Sequence, residues 1–222
     1  MKTILTGLAA LAVSLFAVVC TGAQASVVYN NGGPASNGGG NEATAWIQAE
    51  DFTITGGGII NHATAYLAGV GGIGNFDNSF DYYIYSDSAG SPGTALSSGA
   101  AQNLAISNTG TAWCCDGNAF AFDFDMTDFT AGAGVTYWFG IHAASGFNRD
   151  GIYWVNSAGS PSTITGQENF GGNSDWSDNG SEHAFALSNN ARADATVPEP
   201  GSIALLGLGL LGFAASRRKS AK

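Results

Sequence analysis

Between residues 26 and 197 the hydrophobic positions recur at every second residue, with no convincing 3.6-residue period of an amphipathic helix. The clearest case is Phe120, Phe122, Phe124 and Met126, which fall on one face of an extended segment while Ala121, Asp123 and Asp125 fall on the other. Such alternation sets one face on a core and leaves the other in water. Runs of this kind recur at Trp46 to Ile54, Ile59 to Val70 with breaks, Phe80 to Ser86, Asn103 to Ser107, Val135 to His142, Gly151 to Asn156 and His183 to Leu187. Clusters of Gly, Asn, Ser and Pro separate them. The expected fold class is all-β, an antiparallel β-sandwich of jelly-roll type. Asn30 to Asn41, rich in Gly and Asn, reads as a mobile loop or arm. The sequence Ser-Ala-Gly-Ser-Pro occurs twice after an aromatic strand, at 88–92 and 157–161, and reads as coincidence or a shared turn geometry rather than a duplicated site.

The two ends break the pattern. Lys2, the apolar run Ile4 to Val19 and the small-x-small triplet Ala23-Gln24-Ala25 make a signal peptide, so the mature chain is expected to begin at Ser26. A lipoprotein reading through Cys20 is disfavoured by Val18 and Val19, where a small residue is wanted. At the other end, Val197-Pro198-Glu199-Pro200 precedes an apolar run from Ile203 to Ala215 and the basic cluster Arg217-Arg218-Lys219. Pro198 and Pro200 lack amide donors and hold the chain extended, which presents Glu199. A thirteen-residue helix reaches about 20 Å, short of a hydrocarbon core of about 30 Å, so the segment suits a temporary span better than a permanent one. The basic end belongs on the cytoplasmic side, which leaves the preceding chain outside the inner membrane. The expected organisation is a signal peptide over 1–25, a β-sandwich ectodomain over 26–196 and a sorting tail over 197–222.

This tail resembles the PEP-CTERM sorting tail of Gram-negative bacteria. Pro198, Glu199 and Pro200 correspond to the family motif, Ile203 to Ala215 to its short membrane helix, and Arg217, Arg218 and Lys219 to its basic end. The resemblance implies export, transient anchoring, cleavage by an exosortase and a place at the cell surface or beyond, often in exopolysaccharide-producing cells. Related tails also occur on some ice-binding proteins. The stretches Ala49-Glu50-Asp51-Phe52 and Gly146 to Gly151 are similar to the β-sandwich ectodomains common among PEP-CTERM proteins, which implies a fold but no activity. Three Thr-x-Thr pairs lie too far apart to form an ice-binding array.

Charge narrows the partners. Arg149 and Arg192 are the only strong bases between Ser26 and Val197, against 16 acidic residues, a formal balance of −14. Phosphate backbones need the Lys and Arg that this segment lacks, so nucleic acid is excluded as a partner. Neutral glycans, cations and basic polymers remain, beside plain solubility.

Few residues suggest chemistry. Asp123, Asp125 and Asp128 form Asp-x-Asp-x-x-Asp, which could begin a calcium site. The preferred alternative is a solvated strand face. In the loop Ser145 to Gly151, Asn148, Arg149 and Asp150 with Trp154 suit a sugar, stacked on a ring and hydrogen-bonded at its edge. The competing reading, which the residues favour, puts Trp154 in the core and pairs Arg149 with a carboxylate. Trp113 and Trp176 are further sugar contacts to consider. Cys114 and Cys115, the only mature cysteines, could close a vicinal disulfide, pair with another chain or stay thiols, and the vicinal bond is the expectation. His62, His142 and His183 flank no nucleophile motif, so no catalytic residue is assigned and no cofactor beyond calcium is considered. The sequence thus points to an exported, non-enzymatic surface or matrix protein associated with exopolysaccharide, or alternatively to a carbohydrate-binding module.

Overall fold

A computed structural model of the chain describes residues 26–173 and 175–190. The expected signal peptide, Cys20 and the whole sorting tail lie outside the described residues. Thirteen strands and no helix occur among those described. In chain order they are β1 (Ser26–Asn30), β2 (Gly40–Glu42), β3 (Trp46–Thr53), β4 (Gly58–Gly69), β5 (Asp81–Asp87), β6 (Pro92–Ala100), β7 (Gln102–Trp113), β8 (Gly117–Ala131), β9 (Thr136–His142), β10 (Ile152–Val155), β11 (Gln167–Phe170), β12 (Ser177–Asp178) and β13 (Phe185–Asn189).

All strand pairs are antiparallel, and they form two sheets. The six-stranded sheet runs β12-β11-β3-β9-β5-β6. In the seven-stranded sheet β4 pairs along one edge with β8, which carries β7, and along the other with β13 and then β10. β1 and β2 flank those two, and Ser26 lies opposite Asn189, so the first and last strands run side by side. Most successive strands change sheets, while the hairpins β5–β6, β7–β8 and β11–β12 stay within one.

Alternation builds one core from both sheets. Phe52, Tyr82, Ile84, Phe139 and Ile141 come from the six-stranded sheet, and Leu67, Phe122, Phe124, Met126, Phe185 and Leu187 from the other. Small residues on β4 accommodate large ones on β8, with Ala63 opposite Phe124 and Ala65 opposite Phe122. Rings then meet at close range, as Phe76 does with Phe122 at 5.1 Å and Phe139 with Phe185 at 5.2 Å.

Two expectations need correction. The segment from Asn30 to Asn41 is not an arm. Asn31 is fully buried and donates from Nδ2 to the His183 carbonyl at 2.8 Å, Asn37 donates its N–H to the Ala112 carbonyl, and Gly40 pairs with Val155 in β2. Its glycine here permits close approach: a Cβ at Gly40 would stand 2.5 Å from the Trp154 carbonyl oxygen. The repeated Ser-Ala-Gly-Ser-Pro does not share a turn geometry either. At 88–92 it turns the β5–β6 hairpin, with Ala89 and Gly90 at φ of +54° and +82°. At 157–161 it follows β10 without positive φ and ties Ser157 and Ser160 to Asn31.

Candidate functional site

The loop predicted to bind a sugar is only partly assembled as one. Trp154 has no exposed surface, stacks on His183 at 4.9 Å and donates from Nε1 to the Ala184 carbonyl at 2.9 Å. It is a core residue, because inward-facing positions of β10 meet Phe139 and Phe185, and it cannot meet a solute. Arg149 lays its guanidinium over the Trp46 ring at 4.5 Å. Asn148 is exposed, and Asp150 is used through its backbone, whose N–H reaches Thr44 Oγ1 at 2.8 Å and whose carbonyl accepts from Asn75. Trp113 is buried against Tyr153.

The acidic strand face is a ladder rather than a calcium site. Asp123 accepts from Thr64 Oγ1 at 2.6 Å, and Asp125 meets His62 Nδ1 at 2.9 Å and Asn103 Nδ2 at 2.8 Å. Neighbouring strands thus occupy the two carboxylates, and among the described residues no three His, Cys, Asp or Glu converge to hold a metal ion. Asp123, Asp125 and Asp128 thus fit the polar strand face that the sequence prefers over a calcium site. Cys114 and Cys115 are not joined either. They stand as exposed free thiols in the β7–β8 turn, where a hydrogen bond with Cys115 leads the effects that push the Cys114 thiol up.

A second buried polar group sits between the sheets. β3 turns Glu50 inward with Phe52, and Glu50 Oε1 lies 2.5 Å from His183 Nδ1 and accepts the His183 N–H at 2.7 Å. Burial raises the Glu50 carboxyl well above its ordinary value, helped by the nearby Glu182 charge, and burial alone lowers His183 to about 3. Both shifts favour the uncharged forms, a protonated carboxyl facing a neutral imidazole. Both side chains are fully buried, so the pair orders the interior.

A cluster of partly exposed rings lies on the outer face of the six-stranded sheet. Along β5, Tyr82 and Ile84 enter the core, so Tyr83 and Tyr85 fall on the opposite face, their rings parallel within 14° at 5.7 Å. Tyr83 lies opposite Gly140 of β9, and a Cβ at Gly140 would stand 2.9 Å from Tyr85 Cε2, so this glycine lets the ring lie against the sheet. Trp138 packs beneath Tyr85 and is pinned by its Nε1 bond to Asp87 at 2.9 Å. Trp176 stands edge-on to Tyr85 at 5.2 Å. Phe147, 42% exposed, comes from the β9–β10 loop and stacks on His142 at 4.3 Å. Gly172, at φ +68°, leaves room for that ring, since a Cβ there would reach 2.6 Å from it.

Tyr83, Tyr85, Phe147, Trp176 and Asn169 of β11 line an open groove of about 660 Å³. Asn169 is 1% exposed, donates from Nδ2 to the Asn173 carbonyl, and has no partner at Oδ1. Burial raises both tyrosines, with Asp81 adding to Tyr83 and Tyr83 to Tyr85, so both phenols keep their protons at neutral pH. The sequence points to Trp176 and to the loop that carries Phe147, but not to Tyr83, Tyr85 and Asn169. The available signal was a pair of aromatics at i and i+2 on the face that alternation assigns to water.

Residues 196–219 match the family described as the PEP-CTERM protein-sorting motif, a stretch that includes Pro198, Glu199, Pro200, Arg217, Arg218 and Lys219. No curated protein and no solved structure gives a match. The match is confined to the tail and says nothing of the ectodomain's ligand. The chain thus carries a PEP-CTERM sorting motif, and with it the marks of export, exosortase processing at a membrane and a surface or extracellular destination.

Proposed function

We propose that this is a non-enzymatic surface or matrix protein that associates with exopolysaccharide by holding a glycan chain in the groove of its six-stranded sheet. The carrying observation is the cluster of Tyr83, Tyr85, Phe147 and Trp176 around one open groove, with Asn169 and Asn173 at its wall. Sugar rings have an apolar face that stacks on aromatic rings and edges that hydrogen-bond to amides, and soluble proteins seldom leave such a set uncovered without use. Export to the surface puts the groove where secreted polysaccharide is found. The strongly acidic domain disfavours nucleic acid and favours ligands without phosphate.

Stacking one ring contributes about 1 to 2 kcal/mol, close to tenfold in affinity, so a single groove binds weakly and gains by multiple attachment along a polymer. Affinity electrophoresis through gels carrying the host's secreted polysaccharide tests the reading. Retardation of the wild type, weakened about tenfold in Trp176→Ala, is the expected result. Unchanged migration of the wild type in every secreted polysaccharide would leave a passive matrix component without a glycan site.

A further inference from the structure

We propose that Arg149, Trp46 and Phe170 form a second glycan contact, which takes an acidic sugar: the guanidinium binds its carboxylate and the Phe170 ring its apolar face. The inference rests on the glycan-binding reading above and adds a separate subsite with the chemical class that it selects.

Arg149 is the only Lys or Arg among the described residues, in a segment rich in carboxylates. An exposed arginine in such surroundings usually pairs with one of them, because guanidinium and carboxylate match in charge and in planar shape. Among the described residues no carboxylate stands within 4.0 Å of this guanidinium, and no side-chain hydrogen bond engages it. The acidic neighbours are committed elsewhere. Glu42 accepts from Thr44 Oγ1 and the Ala45 N–H, and Glu168 accepts from Gln48 Nε2.

What holds Arg149 is the half-buried Trp46 ring, 4.5 Å from the guanidinium carbon. Stacking uses the face of the guanidinium and leaves its N–H groups, which lie in the plane, directed outward from the edge. The donors are thus fixed in one plane before a ligand arrives, which lowers the ordering cost of a two-bond contact with a carboxylate.

Phe170 supplies the apolar surface. It lies opposite Trp46 in the β3–β11 pair, 5.1 Å away between ring centres, and is 59% exposed. Ile47 and Asn169, the next pair along, line the groove, so alternation sets Trp46 and Phe170 on the other side of the same strand ends. The loop 145–151 serves both sides, with Phe147 in the groove and Arg149 over Trp46. One polymer passing over this end of the sheet can therefore meet both contacts. The acidic balance of the domain repels dense polyanions, and a single guanidinium matches a single carboxylate. The fitting chain is neutral over most of its length and carries uronate or similar carboxylate-bearing sugars at intervals.

The test is affinity electrophoresis of the full ectodomain in gels of the host's secreted polysaccharide, native, methyl-esterified at its carboxylates, or desulfated. Esterification should weaken retardation of the wild type about fivefold, and desulfation should leave it unchanged. Arg149→Gln on native polymer should match the wild type on esterified polymer, and should lose nothing further when the polymer is esterified. Equal retardation of the wild type by native and esterified polymer overturns the subsite and leaves the groove standing. A fivefold loss on esterification that persists in Arg149→Gln overturns the role of Arg149. Retardation lost on desulfation overturns the choice of carboxylate. The polymer arms need only the wild type, so they decide the matter whatever the variant does. A wild type retarded by none of the three forms would instead remove the functional reading on which this one stands.

Discussion

The two sheets present outer faces built by the same period-two pattern but with opposite outcomes. On the seven-stranded sheet the outward residues of β4 and β8 satisfy one another: Thr64 bonds to Asp123, and Asp125 joins His62 to Asn103 of β7. On the six-stranded sheet the outward residues of β5 are tyrosines, and the next wall leaves the Asn169 oxygen without a partner. A face whose polar groups are already paired has little to offer a ligand, whatever its charge. A face whose rings are partly exposed does. Carboxylates in a row therefore mislead as a sign of function here, and aromatics on a strand's wet side inform.

The largest change acts on the interior that both faces share. Phe122→Ala removes a ring that contacts Phe76 and Phe80, with an expected loss of about 3 to 5 kcal/mol in urea melts. A loss below about 1 kcal/mol would show that the two faces do not rest on one core. Next comes Gly140→Ala, whose added methyl must displace Tyr85. The expected cost is about 1 to 3 kcal/mol together with weaker glycan retardation, whereas the acidic ladder should be unaffected. Stability lost without any change in retardation would separate Tyr85 from the groove.

The third test isolates the polar interior from both faces and is read as a slope. Because the Glu50 carboxyl is raised on folding, its stabilising share is full below the unfolded value near 4.5 and is lost as pH rises toward the folded value. Glu50→Gln mimics the protonated form, so its stability relative to wild type should grow as pH climbs from 5 to 8. The lowered His183 acts in the other direction, costing stability as pH falls from about 6.5 toward 3, and it remains in both proteins. Parallel melting curves across that range would contradict the assignment. The smallest effect belongs to the ladder: Asp123→Asn keeps an acceptor for Thr64 and should shift stability by less than about 0.5 kcal/mol with no effect on glycan retardation.

Much of the fold was legible because strands carry their pattern locally. Phe122, Phe124 and Met126 lie in the core as alternation requires, and the tyrosines of β5 could have been divided between core and groove by the same count. What stayed hidden depends on neighbours distant in sequence. Asn31 is buried by His183, 152 positions away, so a Gly- and Asn-rich stretch that looks loose is held by partners no local window contains. Trp154 reads as a core residue in preference to a ligand platform, and β10 does turn it inward onto Phe139, whereas Arg149, expected beside a carboxylate, lies over the ring of Trp46 from a distant strand. The groove joins β3, β5, β6, β11 and two loops, and of its lining only Trp176 and the loop that carries Phe147 stand out in the sequence.

The pairing of Ser26 with Asn189 has a mechanical consequence. Chain entry and exit share one edge of the seven-stranded sheet, so any tether through the following tail pulls on β13, while the groove lies on the outer face of the other sheet. Tension between a tether and a bound polymer would then pass from β13 through the aromatic core to β5 and β11, loading the sheet-to-sheet contact. Interlocked rings such as Phe139 against Phe185 would carry that load, making the packing between the sheets the joint that sets how much pull the domain withstands.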